Sequence, residues 1–279
     1  MKPFSKSTSE KKDNMELSKT NVNARNAAAE IAEVAKYLWK KSWAEGNAGN
    51  ISLNVTEQYG GIHLDFRTFP MIAVREKFKN IAGNYIFLTV KGSRMRDLAS
   101  NPGDNLCLIK IAQAGDGYQL LFEEKSKPNE PSSEILSHLA IHDMLAGSGR
   151  GKAIVHTHPH EVVALSHSKE LKDEKKLNEV LLRMHTETAF FIPKGMGFIP
   201  FQVPGSQEMA TSTLEKLKKY IVVLWEKHGC MAIGDDVHQA FDRIDLMAKA
   251  ATIYLACRSA GIDPEGMTDE QISQIVNSK

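Results

Sequence analysis

The 279-residue sequence has only three cysteines, Cys107, Cys230 and Cys257, and no CxxC pair. A disulfide-linked scaffold or a zinc ribbon needs paired or closely spaced cysteines, so both classes are excluded. The scarcity of cysteine suits a protein that works in a reducing compartment.

The sequence also lacks an excess of charge of either sign, because 35 basic residues face 34 acidic ones and the net charge is +1. A nucleic-acid binder needs a basic face, so this balance argues against one. The polar first residues contain no apolar segment typical of a secretory signal. No apolar run approaches the length of about 18 residues that a membrane span requires. We therefore expect a soluble, cytoplasmic protein with neither nucleic-acid nor membrane partners.

No dinucleotide-binding fingerprint, P-loop or internal repeat is present. Instead, short apolar runs predict strands at ISLNV, NYIFLTV, NLCLIKI, YQLLFEE and KAIVHTH, and KYIVVLWEKHGCMAIG predicts two strands joined by a turn at residues 227–229. Residues 1–22 read as a polar tail. We expect residues 23–279 to form one α/β domain with a central mixed, largely antiparallel sheet flanked by helices.

Helices are predicted by apolar residues at helical spacing. The first covers residues 24–43, with Ile31, Val34, Leu38 and Trp39 on one stripe. The others cover residues 133–144, a segment that begins at Pro159, and residues 237–258, with Gly261 closing the last one. The lysine-rich stretch SKELKDEKKLNEVLLRM predicts an exposed helix or lid.

Histidine is a minor residue, with ten in the chain, yet GKAIVHTHPHEVVAL contains His156, His158 and His160. Alternate side chains of a strand point to one face, so His156 and His158 can bind one metal ion together. The alternative is that both are core histidines bonded to the backbone. His160 follows Pro159 and is expected to face elsewhere on the next helix.

A tetrahedral metal site needs a third protein ligand. His228 is the best candidate, because it lies at a strand end beside a glycine that allows the backbone to pass close to the site. Glu134, His138 and His142 form a competing set, spaced i, i+4, i+8 on a predicted helix. This set could be a second metal site, or one acid that faces the first site above two packed histidines, and spacing alone does not decide.

Six motifs occur in a fixed order: GNAGNIS, KGSRMRDL, PSSEILSH, VHTHP, PKGMGFIPFQVPGS and LWEKHG. This order resembles the class II aldolase family, which includes L-fuculose-phosphate and L-rhamnulose-1-phosphate aldolases, sugar-phosphate 4-epimerases and the head domain of adducin. The likeness covers roughly residues 25–262. Chain length and the segments VPGS and TETAFFIPKGMG favour the rhamnulose-phosphate branch.

The resemblance implies a zinc-dependent aldolase, with one Zn²⁺ per subunit bound by His156, His158 and His228. It implies that Glu134 is the catalytic acid and base, and that Glu187 acts at the site of a neighbouring subunit in a homotetramer. His138 and His142 then become packing or supporting groups. The implied phosphate-binding residues are Asn47, Gly49, Asn50, Ser93, Ser132 and Ser133.

The implied reaction cleaves a ketose phosphate, L-rhamnulose 1-phosphate, into dihydroxyacetone phosphate and an aldehyde, L-lactaldehyde, in rhamnose breakdown. Another sugar-phosphate aldolase or a 4-epimerase would use the same three histidines. A non-catalytic adducin-like module would lack the ligands, and their presence argues against it. Arg94 stands where the family often has a small residue, so it either contacts phosphate or points to solvent.

Overall fold

The computed structural model describes residues 26–58, 70–121 and 130–278, so the predicted tail and part of the YQLLFEE segment lie outside the described residues. Nine strands are found in these ranges. In chain order they are β1 (Asn50–Asn54), β2 (Met71–Ala73), β3 (Tyr85–Thr89), β4 (Leu106–Ile111), β5 (Gly117–Leu121), β6 (Ala153–Thr157), β7 (Gly197–Ile199), β8 (Val222–Trp225) and β9 (Gly229–Gly234).

The described helices flank the strands along the chain. They are α1 (residues 26–40), α2 (Met95–Ser100), α3 (Pro102–Asn105), α4 (Ile135–Ser148), α5 (His160–Leu165), α6 (Glu174–Met184), α7 (Thr186–Phe191), α8 (Gln207–Leu217), α9 (Val237–Ser259) and α10 (Asp269–Val276). No helix in the described ranges is both long and apolar enough to cross a membrane.

The strands form one sheet in the order β2-β5-β4-β3-β1-β6-β9-β8-β7. Every neighbouring pair is antiparallel except β7 and β8, which are parallel. The chain is therefore a single α/β domain with a mixed, largely antiparallel sheet, which confirms the predicted fold class.

Strand β6 is buried along its whole length because helices cover both faces of the sheet. Val155 belongs to a core that includes α1, α5, α6 and α9. Ile154 belongs to a second core, against α4 and α8 on the opposite face. Since strand side chains alternate, His156 lies on the same face as Ile154, which is the α4 face.

Strand β1 places polar side chains beside those of β6. Asn50 pairs with His156 and Ser52 pairs with Ile154 in the antiparallel register. Ile51 and Leu53 belong to the α9 core, so Asn50 and Ser52 lie on the α4 face. The sheet thus presents a buried polar strip to α4, next to the first histidine of the VHTHP motif.

For two predicted helices, the side chains that are exposed or buried in the structure differ from those that the sequence predicts. Trp39 does not share the buried stripe of α1, because its side chain is 49% exposed while Leu38 is fully buried. The lysine-rich stretch is not an exposed lid: Leu177 and Leu181 of α6 are fully buried in the α9 core. Leucines four apart form one apolar helix face, and the lysines occupy the other.

The observed ends of two helices differ from the predicted ends by a few residues. In α1 the described helix ends at residue 40, because Ser42 has a positive φ of 58° that a right-handed helix cannot contain. Helix α4 begins at Ile135 rather than at Ser133, and Glu134 is its N-cap. It continues to Ser148 and ends at Gly149, whose left-handed φ of 64° closes the last turn.

Candidate metal centre and active site

Three histidines meet where β6 ends and the β8–β9 turn begins. One potential ligand atom from each of His156, His158 and His228 lies within 4.8 Å of the others. Their ring centroids are 5.1 Å apart for His156 and His158, 5.2 Å for His156 and His228, and 4.9 Å for His158 and His228. The structure therefore brings together all three ligands implied by the sequence, and it leaves His160 exposed at the start of α5.

The turn that carries His228 approaches the other two histidines closely. Lys227 has a positive φ of 61°, which turns the chain back at the strand end. A Cβ atom on Gly229 would lie 2.5 Å from the His158 ring and 2.6 Å from the carbonyl oxygen of Thr157. Only glycine fits at this position, which confirms the predicted role of the glycine beside His228.

The hydrogen bonds of two histidines leave their Nε2 atoms free for a metal. Nδ1 of His156 donates to the Cys230 carbonyl oxygen at 2.9 Å, and Nδ1 of His158 donates to Oε1 of Glu45 at 2.7 Å. The two unprotonated Nε2 atoms then face each other at 3.3 Å. Two facing lone pairs repel, and a cation between them would remove that repulsion, so the donor set fits a divalent ion.

The third histidine is also suited to binding a metal. Burial, followed by the electrostatic influence of His158, lowers the pKa of His228, and burial holds the pKa of His156 well below 6.5. Both rings are therefore neutral near pH 7. Nδ1 of His228 is buried and, among the described residues, has no hydrogen-bond partner. Trp225 packs beneath the site, with its ring centroid 4.4 Å from that of His156 and 5.0 Å from that of His228.

Sequence reasoning missed Glu45, which orients His158. It lies in the loop after α1, where no spacing rule links it to a histidine more than a hundred residues later. Burial alone raises the pKa of Glu45, but hydrogen bonds from His158 and from the backbone lower it further than burial raises it. A carboxylate that accepts from the far nitrogen of a ligand fixes its tautomer and orientation.

Replacing Glu45 with Gln is expected to weaken metal binding by about 10- to 100-fold, because the neutral amide no longer holds the His158 ring as firmly. Metal affinity is measured by competition with a chromogenic chelator at a fixed pH. The control replaces the exposed Glu57, which pairs with Lys152 at 2.5 Å, with Gln and should leave affinity unchanged. Equal affinity of the Glu45 variant and the wild type would exclude this role.

Glu134 lies at the same cavity as the histidine cluster. The cavity has a volume of about 410 Å³. Glu134 is the N-cap of α4, and its Oε2 accepts a hydrogen bond of 2.9 Å from Nδ2 of Asn50. A carboxylate beside a metal-binding cluster can transfer protons to or from a bound molecule.

The implied phosphate-binding residues line this cavity as well. They are Asn47, Gly49, Asn50, Ser93, Ser132 and Ser133. The Ser132 hydroxyl already accepts a hydrogen bond from the Glu134 amide at 3.3 Å, whereas Ser133 is exposed. Gly49 has a φ of 80°, and a Cβ there would lie 2.8 Å from the His156 carbonyl oxygen.

Lys91 also lines the cavity, and sequence reasoning missed it. Its position directly before the Gly-Ser of the KGS motif is the signal that could have identified it. Its ammonium lies 3.2 Å from Glu130 and its side chain is 60% exposed, so it is accessible to a bound anion. Arg94 instead lines a separate cavity with Trp39 and Glu45.

Glu187 does not reach the cavity of its own chain. It lies on α7 with its side chain 54% exposed, and its Oε2 is 3.0 Å from Nε2 of His185. Hydrogen bonds from Thr186 and from the backbone lower its pKa. Within one chain, Glu187 is thus a surface acid.

The competing set on α4 is not a metal site. Within the described residues, the only group of three or more side chains that could hold an ion is the cluster of His156, His158 and His228. His138 and His142 are buried between α4 and β1, where both accept or donate hydrogen bonds with Ser52. They pack from α4 against the polar strip that Asn50 and Ser52 form on the sheet.

The stability of the protein should depend on pH through His142. Burial, followed by the charge of His138, lowers its pKa from 6.5 to about 3. Between about pH 6.5 and 3, His142 therefore binds a proton in the unfolded chain but not in the folded chain. The free energy of unfolding falls as pH falls through this window.

Replacing His142 with Leu removes one such proton, and the slope of unfolding free energy between pH 4 and 6 should flatten by about 1.4 kcal/mol per pH unit. The measurement is urea unfolding of metal-free wild type and variant at several pH values. An unchanged slope would show that His142 is protonated in the folded protein.

Comparisons with known proteins agree with this geometry. A family model described as Class II Aldolase and Adducin N-terminal domain matches residues 29–255. A rhamnulose-1-phosphate aldolase from Bacteroides thetaiotaomicron is 38% identical over 250 residues, which cover 88% of this chain and 91% of that protein. One from Listeria welshimeri is 32% identical over 247 residues, with coverage of 87% and 88%.

A solved structure is similar over the same region. The sugar-phosphate aldolase from Thermotoga maritima has a TM-score of 0.71 and 33% sequence identity, covering 87% of this chain and 99% of that chain. Fold and sequence are therefore alike over nearly the whole of the described domain.

Proposed function

Because the chain belongs to the class II aldolase and adducin N-terminal domain family, we propose that it is a metal-dependent aldolase that reversibly cleaves L-rhamnulose 1-phosphate to dihydroxyacetone phosphate and L-lactaldehyde. One observation carries the proposal: three imidazoles, one carboxylate and a set of hydroxyl and amide groups line a single cavity. The names of the similar rhamnulose-1-phosphate aldolases support the substrate.

His156, His158 and His228 would hold the metal, which we propose is one Zn²⁺ per chain. When bound, Zn²⁺ would act as a Lewis acid that stabilises negative charge on the substrate oxygens. Three neutral ligands leave the charge of the ion undiminished and one coordination position open.

Glu134 would move the proton. In the direction of synthesis it takes a proton from C3, the hydroxymethyl carbon of dihydroxyacetone phosphate, and in the direction of cleavage it returns the proton to that carbon. Asn50 holds the carboxylate by Oε2, so Oε1 is the oxygen that exchanges the proton. General base catalysis of this kind typically contributes about 10²- to 10⁴-fold to the rate.

The phosphate group would bind at the other side of the cavity. Ser93, Ser132 and Ser133 offer hydroxyl groups, and Lys91 offers the cationic charge. The amino-terminal end of α4, a helix of 14 residues, adds a partial positive charge beside them.

We extend the proposal to a homotetramer in which Glu187 of one chain serves the site of a neighbour. Glu187 and the 54% exposed Phe191 share the surface of α7, which offers both an acid and an apolar contact to another chain. Light scattering should give a mass near four chains. A stable and fully active monomer would contradict both the assembly and this role for Glu187.

A product assay distinguishes the proposed aldolase from a sugar-phosphate 4-epimerase. The purified protein is incubated with L-rhamnulose 1-phosphate, and free dihydroxyacetone phosphate is measured by its enzymatic reduction with NADH. Release of dihydroxyacetone phosphate is expected. Conversion of L-ribulose 5-phosphate to its 4-epimer without free dihydroxyacetone phosphate would identify an epimerase. We place the activity in the cytoplasm and in rhamnose breakdown, as the sequence predicts.

A further inference from the structure

A continuous hydrogen-bonded chain runs from the interior of the protein to Glu134. Ser52 Oγ lies 2.8 Å from Nε2 of His142 and 2.7 Å from Nδ1 of His138. Nε2 of His138 lies 2.6 Å from Oδ1 of Asn50, whose Nδ2 donates to Glu134. None of the residues His138, His142 and Ser52 lines the cavity.

The donor and acceptor properties of these side chains determine the direction of each hydrogen bond. Oδ1 of Asn50 can only accept, so Nε2 of His138 carries the proton. Burial lowers the pKa of His138 to about 4, which keeps the ring neutral and makes Nδ1 an acceptor. The Ser52 hydroxyl must then donate to His138 and accept from Nε2 of His142. Each donor in the chain therefore points towards Glu134.

The surroundings of Nδ1 of His142 are consistent with this direction. If Nε2 of the neutral His142 donates, its Nδ1 is left as an unprotonated acceptor. That atom is buried and has no hydrogen-bond partner among the described residues. His142 is thus the inner end of the chain, and Ser52 can donate to His138 without it.

We propose that His138 is a positioning residue that orients the Asn50 carboxamide and, through it, the catalytic carboxylate of Glu134. A flipped carboxamide would place its oxygen against the carboxylate and its NH₂ group against the Nε2 proton of His138, and both contacts are repulsive. The hydrogen bond from Nε2 of His138 to Oδ1 therefore fixes the amide in the orientation that donates to Glu134. Asn50 thus has a role at Glu134 in addition to the phosphate-binding role that the resemblance implies.

This inference rests on the proposed function, and its first test is a pair of variants on one helix. His138→Leu should lower kcat for cleavage by up to about 10²-fold with little change in KM, because a small displacement of a catalytic group can cost that much. His142→Leu is the matched control, since it removes an equally buried histidine, and its kcat should stay near that of the wild type. His138→Gln, which offers an amide N–H and an acceptor oxygen, should recover part of the loss.

A double-mutant cycle separates positioning from general damage. Asn50→Ala should lower kcat, and adding His138→Leu to it should cause no further loss, because the amide that His138 orients is gone. Metal content should remain that of the wild type throughout. Additive losses, or a rise in KM with kcat unchanged, would overturn the proposal and leave Asn50 with a phosphate-binding role alone.

Two further measurements separate failure of this inference from failure of the proposed function. Solvent exchange of the C3 protons of dihydroxyacetone phosphate needs no aldehyde, so exchange without cleavage of L-rhamnulose 1-phosphate would refute only that substrate. If wild type catalyses no exchange, the proposed function itself fails. ¹⁵N shifts of the histidine rings in the metal-free protein should show His138 protonated at Nε2 only, and protonation at Nδ1 would overturn the inference in either case.

Discussion

Removal of bound metal with a chelator is expected to abolish aldol cleavage, and added Zn²⁺ is expected to restore it. His156, His158 and His228 offer neutral ring nitrogens within 4.8 Å of one another, and the residues that line the cavity include no other cluster suited to hold an ion. The bound cation would supply the positive charge that stabilises a negative charge on the oxygens next to the reacting carbon. The purified protein should contain about one metal ion per chain by elemental analysis.

Replacing His228 with Ala should remove most of the metal and most of the activity together, because it deletes one of three protein ligands. His160→Ala is a suitable control, since His160 directly follows the VHTHP motif but has its side chain 67% exposed beside Glu161. This control should keep both metal and rate. A His228→Ala protein with full metal content and full rate would refute the site.

Replacing Glu134 with Gln is expected to lower kcat by about 10²-fold or more, because Gln retains the size and hydrogen-bonding capacity of Glu but cannot accept the proton. The Gln side-chain oxygen can still accept from Asn50, so the fold should be unaffected. Steady-state kinetics and metal analysis of the same sample provide the test, and the metal content should stay at the wild-type value.

Ser133→Ala provides the contrast, because its exposed hydroxyl lines the phosphate side of the cavity. A contact made equally in the ground state and the transition state affects KM more than kcat. The Ser133 variant should therefore raise KM while kcat remains close to wild type. A Glu134→Gln enzyme with nearly normal kcat would show that another group is the base.

The sequence alone predicted the fold class and the pairing of His156 with His158 because both depend on local rules, whereas the complete set of three metal ligands was implied by the resemblance to the family. Two histidines separated by one residue on an apolar strand must share a face. A glycine after His228 marks close passage of the backbone, and the space beside Gly229 is indeed too small for a Cβ. The strands β1, β3, β4 and β6 could be predicted because each is a short apolar run that is largely buried.

Spacing could not decide between one site and two on α4. Glu134 is the N-cap of α4, and its carboxylate accepts a hydrogen bond from Asn50 of β1. His138 contacts the same Asn50, and both histidines contact Ser52 of β1, so the set is occupied by hydrogen bonds to β1. The exact start of a helix is set by tertiary contacts that a periodic pattern does not contain.

Only the tertiary structure revealed the contacts that Glu45 and Asn50 make at the site. Each depends on a pairing between segments distant in sequence: Glu45 with His158, and Asn50 with both Glu134 and His138. Such pairings follow from how β1 lies beside β6 and under α4, and the directions of hydrogen bonds follow from burial, which keeps the histidines neutral. A sequence pattern reports which face a side chain occupies, whereas the partner it meets there is decided by the packing of the whole chain.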